Sequence, residues 1–155
     1  MFKKVLALLL TLFMVFSMLP MSVFATEENN GITIINSSTT VATEAELKEA
    51  INNGGTVILG DNITVTEGLV IAAGTTVVLD LNGKTLSQTK EQTAGYQMIL
   101  NDGSLTIKDS VGGGKISYTD SGNGGEYISD TIYNRATLVI NGGTIENLSS
   151  ATVAS

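Results

Sequence analysis

The side chains able to do chemistry in this chain are acids, amides, hydroxyls and a few bases, and they gather at turns. Asn101-Asp102-Gly103 and Asp120-Ser121-Gly122-Asn123 set hard oxygen donors on flexible turns, which is the chemistry Ca²⁺ takes. Asp80, Asp109 and Glu146 fall at outward positions of short apolar stretches, where a carboxylate pair would do acid–base hydrolysis. The positions expected to stack on Asp80, Thr106 and Val139, are not acids, so no carboxylate ladder forms and these acids read as solvated strand-face charges. Gly112-Gly113-Gly114-Lys115 has neither the spacing nor the following helix of a phosphate loop. Arg135, the only arginine, sits at a turn beside Asn134. No residue is assigned a catalytic, cofactor-binding or metal-ligating role. The reading carries no cofactor, with Ca²⁺ at the two turns as the ion to look for.

The remaining inventory narrows the chemistry further. The protein has 155 residues, with no His and no Cys. Beyond residue 25 it also lacks Trp, Phe and Pro. Disulfides, His or Cys metal sites, and Ser–His–Asp or Cys–His catalytic units are therefore excluded. Residues 26–155 keep six of the eight basic side chains and all 15 acidic ones, a formal charge of −9. That balance argues against a nucleic-acid partner, which needs positive charge facing phosphate. Four tyrosines, Tyr96, Tyr118, Tyr127 and Tyr133, are the aromatics of this part. Tyr118 and Tyr127 flank a Gly/Ser/Asp-rich loop, where they either cover the loop ends or stack on sugar rings. Three sequons begin at Asn36, Asn62 and Asn147.

The first 25 residues are an address. Lys3 and Lys4 precede an apolar run over 5–19, Pro20 breaks it, and Val23-Phe24-Ala25 is a small-x-small cleavage site. This is the pattern of a secretory signal peptide cleaved after Ala25. The apolar core is shorter than the ~20 residues of a membrane span. The expected location is secreted or cell-surface, with no membrane contact after signal removal.

Residues 26–40 read as a flexible polar segment, with Ile32-Thr33-Ile34-Ile35 as one candidate strand. Next, Thr43-Glu44-Ala45-Glu46 has the T-x-x-E spacing of a capping box. Leu47, Ala50 and Ile51 fall on one helical face, and Asn52-Asn53-Gly54-Gly55 supplies a stop. Such a short amphipathic helix needs an apolar surface to lie on. From Thr56 onward the pattern is short aliphatic runs separated by Gly, Asn and Asp, which are strand and turn signals.

A repeat chooses among the all-β architectures. Ile99-Leu100-Asn101-Asp102-Gly103-Ser104-Leu105-Thr106-Ile107 aligns without a gap on Ile132-Tyr133-Asn134-Arg135-Ala136-Thr137-Leu138-Val139-Ile140, 33 residues later. Each copy runs on into Gly-x-x-aliphatic, Gly113 to Ile116 and Gly142 to Ile145, and Gly83 to Leu86 ends an earlier copy. A period of this size built from tiny strands and variable loops is the sign of a β-solenoid. Taking Leu79, Leu105 and Leu138 as equivalent places Val77, Leu79, Leu81, Leu105, Ile107, Leu138 and Ile140 inside, with Val78 and Asp80 outside. Residues 57–65 form a looser copy 22 positions earlier. Asn101 and Asn134 fall at the same turn, where one amide can bond the next.

The stretch from Glu44 to Leu59, followed by Thr75-Thr76-Val77-Val78-Leu79-Asp80-Leu81-Asn82-Gly83-Lys84-Thr85-Leu86, resembles the opening coils of right-handed parallel β-helix proteins with a pectin-lyase-like fold. More narrowly it is similar to adhesin-like, repeat-containing bacterial surface proteins. The resemblance implies an all-β, right-handed parallel β-helix whose first coil is plugged by a short N-terminal capping helix. Residues 41–155 are then the cap and first coils, incomplete at the C-terminal end. The resemblance implies a non-enzymatic surface module contacting carbohydrate or host and cell-wall glycans, with self-association through the open end as a further partner. The alternative is the N-terminal coils of a polysaccharide lyase or glycoside hydrolase whose catalytic residues lie downstream.

Overall fold

In a computed structural model the described residues are 37–91, 95–121 and 129–148. The candidate strand at 32–35 lies outside them. The described residues are predominantly β, with one helix and three all-parallel sheets. The first strand, β1 (Ser38–Val41), leads into helix α1 (Glu44–Asn53). Then come β2 (Gly55–Leu59), β3 (Ile63–Thr64), β4 (Leu69–Ile71), β5 (Thr76–Asp80), β6 (Thr85–Lys90) and β7 (Tyr96–Asn101). The series ends with β8 (Ser104–Lys108), β9 (Lys115–Asp120), β10 (Ser129–Asn134), β11 (Thr137–Ile140) and β12 (Thr144–Asn147).

Helix α1 begins where its sequence dictates. The Thr43 side chain accepts the Glu46 N–H at 3.3 Å, and the Glu46 carboxylate accepts the Thr43 N–H at 3.1 Å. Gly54 ends the helix with φ of 73°, a backbone that suits glycine. Leu47, Ala50 and Ile51 are buried in the same core as Val57 and Leu59 of β2. β1 falls at the end of the segment read as loose; only Val41 of its four residues is buried, so it carries almost no alternation signal.

Strand β1 pairs with β2 in one sheet, and from β2 onward consecutive strands go to different sheets. One sheet runs β1-β2-β5-β8-β11, a second β3-β6-β9-β12, and a third β4-β7-β10. Every triple of strands thus gives one strand to each sheet, an arrangement compatible with a solenoid. Side chains alternate along each short strand, and the inward ones form columns. Ile63, Leu86, Ile116 and Ile145 follow one another in the second sheet, and Leu69, Ile99 and Ile132 in the third. All belong to one apolar core or pack against it.

The register in the first sheet differs from the sequence reading by two residues. Leu105 pairs with Val77 on one side and Leu138 on the other, while Leu79 pairs with Ile107. The column is therefore Val77–Leu105–Leu138, not Leu79–Leu105–Leu138. Leu79 also pairs with Val57, which is the 22-residue match. The turn from Ile107 to Ile116 is two residues longer than that from Leu79 to Leu86, which shifts the count between copies. A slip of two keeps every side chain on its own face, so alternation alone cannot detect it. Val77, Leu79, Leu81, Leu105 and Ile107 are buried as expected, but Ile140 is 51 % exposed. It lies in β11, the edge strand, and no described strand covers it.

Candidate functional site: the corners and the terminal layer

The polar residues singled out in the sequence end up at the corners where the chain passes from sheet to sheet. Asn101 closes β7, and Asn134 lies directly beside it in β10. The Asn101 Nδ2 donates to Asn134 Oδ1 at 2.7 Å and to the Thr137 carbonyl at 2.8 Å, while Asn101 Oδ1 accepts the Gly103 N–H at 3.2 Å. Asn101 is fully buried, so these bonds replace the water it gave up. The stacked amide pair is thus present as the 33-residue repeat implies. Next to it, Arg135 grips Asp102 with two bonds of 2.6 Å, from Nε and from Nη2. This fork holds the Asp102 carboxyl below the usual carboxylate range and raises the Arg135 guanidinium. Asp102 and Arg135 occupy matching turn positions 33 residues apart, so the repeat itself contains the pairing. In the Asn101-Asp102-Gly103 turn the Asp102 carboxylate is thus paired with the next layer, and the Asn101 Oδ1 is bonded within the turn.

The opposite corner corrects the reading of Asp80. It is 2 % exposed, not a solvated strand-face charge. Its side chain does alternate outward, but the loop after β8 folds over it. Asp80 Oδ1 accepts the Ser110 N–H and the Asn82 N–H, each at 3.0 Å, and Lys108 Nζ sits 3.0 Å from Oδ2. Burial pushes this carboxyl up, yet the Ser110 N–H, the Lys108 ammonium and the Asn82 N–H outweigh it and leave its pKa lowered. Asp109 performs the same task one layer on. Its carboxylate accepts the Gly83 N–H at 2.8 Å and the Gly114 N–H at 2.7 Å, and these two bonds hold its pKa down. Glu146 lies 3.7 Å from Lys115 across the terminal pair of the second sheet. Asp80 and Asp109 thus share one corner, each binding backbone N–H groups of its own and the adjoining layer, while Glu146 pairs across β12 and β9.

The tyrosines divide. Tyr118 is fully buried, stacked on Tyr96 with ring centroids 6.0 Å apart, so it is a core residue and not a sugar platform. Lys90 covers Tyr96 at 4.4 Å from its centroid, and Gln88 Nε2 donates to its hydroxyl at 3.0 Å. Tyr127 lies outside the described residues. Tyr133 is 44 % exposed on the outer face of the third sheet. Two sequon amides have structural bonds: Asn62 Oδ1 accepts the Thr85 N–H at 2.8 Å, and Asn147 Nδ2 donates to the Ser129 carbonyl at 2.7 Å. Asn36 lies outside the described residues, as does part of the turn beginning at Asp120.

Neither protein-family models, curated proteins nor solved structures match the chain.

A cleft of about 290 Å³ lies between β1 and α1, lined by Thr39, Thr40, Val41, Glu46, Glu49, Ala50 and Asn53. Glu46 is spent there on the helix cap, its carboxylate also accepting the Ala42 N–H at 2.8 Å, the bond that contributes most to its lowered pKa. Glu44, two residues earlier, pairs with Lys48 at 2.7 Å and accepts the Thr66 N–H at 3.0 Å. The Lys48 ammonium, against a smaller opposing push from burial, holds its pKa at about 2. Among the described residues, no group of three acids is placed to hold a metal ion. What the outer surface does offer is rows of hydroxyls. Thr64, Ser87 and Ser117 follow one another on β3, β6 and β9, and Thr89 pairs with Thr119. Thr64 Oγ1 and Ser87 Oγ are 3.0 Å apart.

Proposed function

We propose that the chain is a non-enzymatic, exported surface module: an adhesin-like, right-handed parallel β-helix of pectin-lyase type, plugged at its start by α1. The stacking of three all-parallel sheets with aligned inward columns carries this reading. Such a body presents flat outer faces in which one residue type can recur at every layer. The hydroxyl rows of Thr64, Ser87 and Ser117 suit a neutral polyhydroxylated surface, so the partner is carbohydrate, as cell-wall or host glycan. The corner acids Asp80, Asp102 and Asp109 are engaged in holding layers together, which supports an architectural use of these carboxylates over a hydrolytic one. The signal-like segment 1–25 supports export, and the edge formed by β10, β11 and β12 is where a second copy would pair.

Co-sedimentation of the full chain with insoluble cell-wall polysaccharide, run beside a reducing-end assay with and without Ca²⁺, tests this. Retention on the glycan without new reducing ends is the expected result. Release of reducing ends would make the chain a glycan-cleaving enzyme, and absence of retention on any polysaccharide would remove the carbohydrate partner.

A further inference from the structure

Three Asn–Gly pairs lie wholly within the described residues, Asn53-Gly54, Asn82-Gly83 and Asn141-Gly142. This dipeptide can cyclise without an enzyme. The glycine amide nitrogen attacks the asparagine Cγ and loses its proton, the bond from Cγ to the side-chain nitrogen breaks, and ammonia leaves. Solvent water then opens the resulting succinimide at either carbonyl, giving Asp or iso-Asp. Reaction needs a free glycine N–H and an asparagine side chain that can swing onto it.

Two of the pairs are held against this. The Gly83 N–H donates to Asp109 Oδ1 at 2.8 Å, and Asn82 Nδ2 donates to the Leu59 carbonyl at 2.9 Å. Gly54 donates to both the Ala50 and Ile51 carbonyls at 3.1 Å, behind a helical Asn53. Asn141 differs. Its side chain is exposed, its turn joins β11 to β12 in the terminal layer, and no hydrogen bond among the described residues holds its side chain or the Gly142 N–H. Only its own backbone is tied, its N–H donating to the Ile107 carbonyl at 2.8 Å. We propose that Asn141 is a spontaneous deamidation site of the folded chain, while Asn82 and Asn53 are protected by their local hydrogen bonds. The consequence is local. The turn is packed so closely that a Cβ on Gly143 would strike Leu81, and the extra backbone methylene of iso-Asp has to be taken up there. Pairing of β12 on β9 loosens as a result.

Peptide mapping by mass spectrometry after incubation of the full chain in mildly alkaline buffer tests this. Asn141 is expected to convert first, with Asn82 and Asn53 slower by roughly tenfold or more, because their reaction waits on local opening. In urea the three should convert at similar rates. Equal rates at Asn82 or Asn53 and Asn141 in the folded chain would overturn the proposal, as would an Asn141 that converts only in urea. In Asp109→Ala, conversion at Asn82 should rise relative to Asn53; an unchanged ratio would overturn the protection assigned to the Asp109–Gly83 bond.

Discussion

Replacing Asn101 by alanine removes a buried side chain that ties two layers and its own turn together. The amide makes two donated bonds and one accepted bond, at 2.7, 2.8 and 3.2 Å. A net contribution of about 1 kcal/mol per bond gives ~3 kcal/mol, with Gly103, itself buried, left holding an unpaired N–H that adds a further ~1 kcal/mol. Asn101→Ala is thus expected to cost about 4 kcal/mol, a large part of the ~5–15 kcal/mol that holds an ordinary domain together. Asn134→Ala, at an exposed position with one bond to Asn101 and one to the Ala136 carbonyl, should cost ~1 kcal/mol. In a double-mutant cycle the two should couple by about 1 kcal/mol, since they share the 2.7 Å bond. Urea unfolding of the full chain followed by circular dichroism reads all of these, provided the m-value stays constant. A cost below ~1 kcal/mol for Asn101→Ala, or no coupling to Asn134, would mean the corner amides do not bind the layers.

Other outcomes follow from packing and charge. Ile107→Ala should cost about 2–5 kcal/mol and Ile140→Ala less than ~1 kcal/mol, although the two are paired in one column, because only the first is enclosed; equal costs by urea unfolding would contradict the register or the exposure. Gly103→Ala should destabilise by about 2 kcal/mol or more, since an added Cβ would meet the backbone carbonyls of Thr75 and Ala72, neither of which can rotate away; an unchanged melting temperature would show that the corner has room. Acid should weaken the fold through Glu44: its folded pKa lies below its ordinary value, so its contribution is complete above pH 4.5 and is lost as the pH falls toward about 2. The urea midpoint should drop across that window, and Glu44→Gln should flatten the drop; a variant with the wild-type pH profile would remove Glu44 from the account.

Local signals were legible and long-range ones partly so. The capping box and the apolar face of α1 could be read because both are set within a few residues. The Asn101–Asn134 stack was legible because the copies at 99–107 and 132–140 have no insertion between matching positions. The register from β5 to β8 was not, because period-2 alternation is blind to a two-residue slip and the longer turn before Ile116 hides the true count. Asp80 misled for a related reason: alternation correctly turns it outward, but nothing in its own strand announces the loop at Ser110 that buries it. Tyr118 and Gln88 occupy a paired inward position of the second sheet, where polar-tipped side chains in the core broke the aliphatic pattern. The Arg135–Asp102 fork is implicit in the repeat alignment, but opposite charges at matching turn positions interact only when the turns stack.

The stacking itself is most directly tested by nuclear Overhauser effects between backbone protons of the first sheet in the isotopically labelled full chain. Parallel, in-register layers predict cross-strand contacts linking Val77 to Leu105 and Leu105 to Leu138, and Leu79 to Ile107. Contacts from Leu105 to Leu79, or the close α-proton pairs of antiparallel strands across these positions, would contradict the architecture on which the proposed surface role depends.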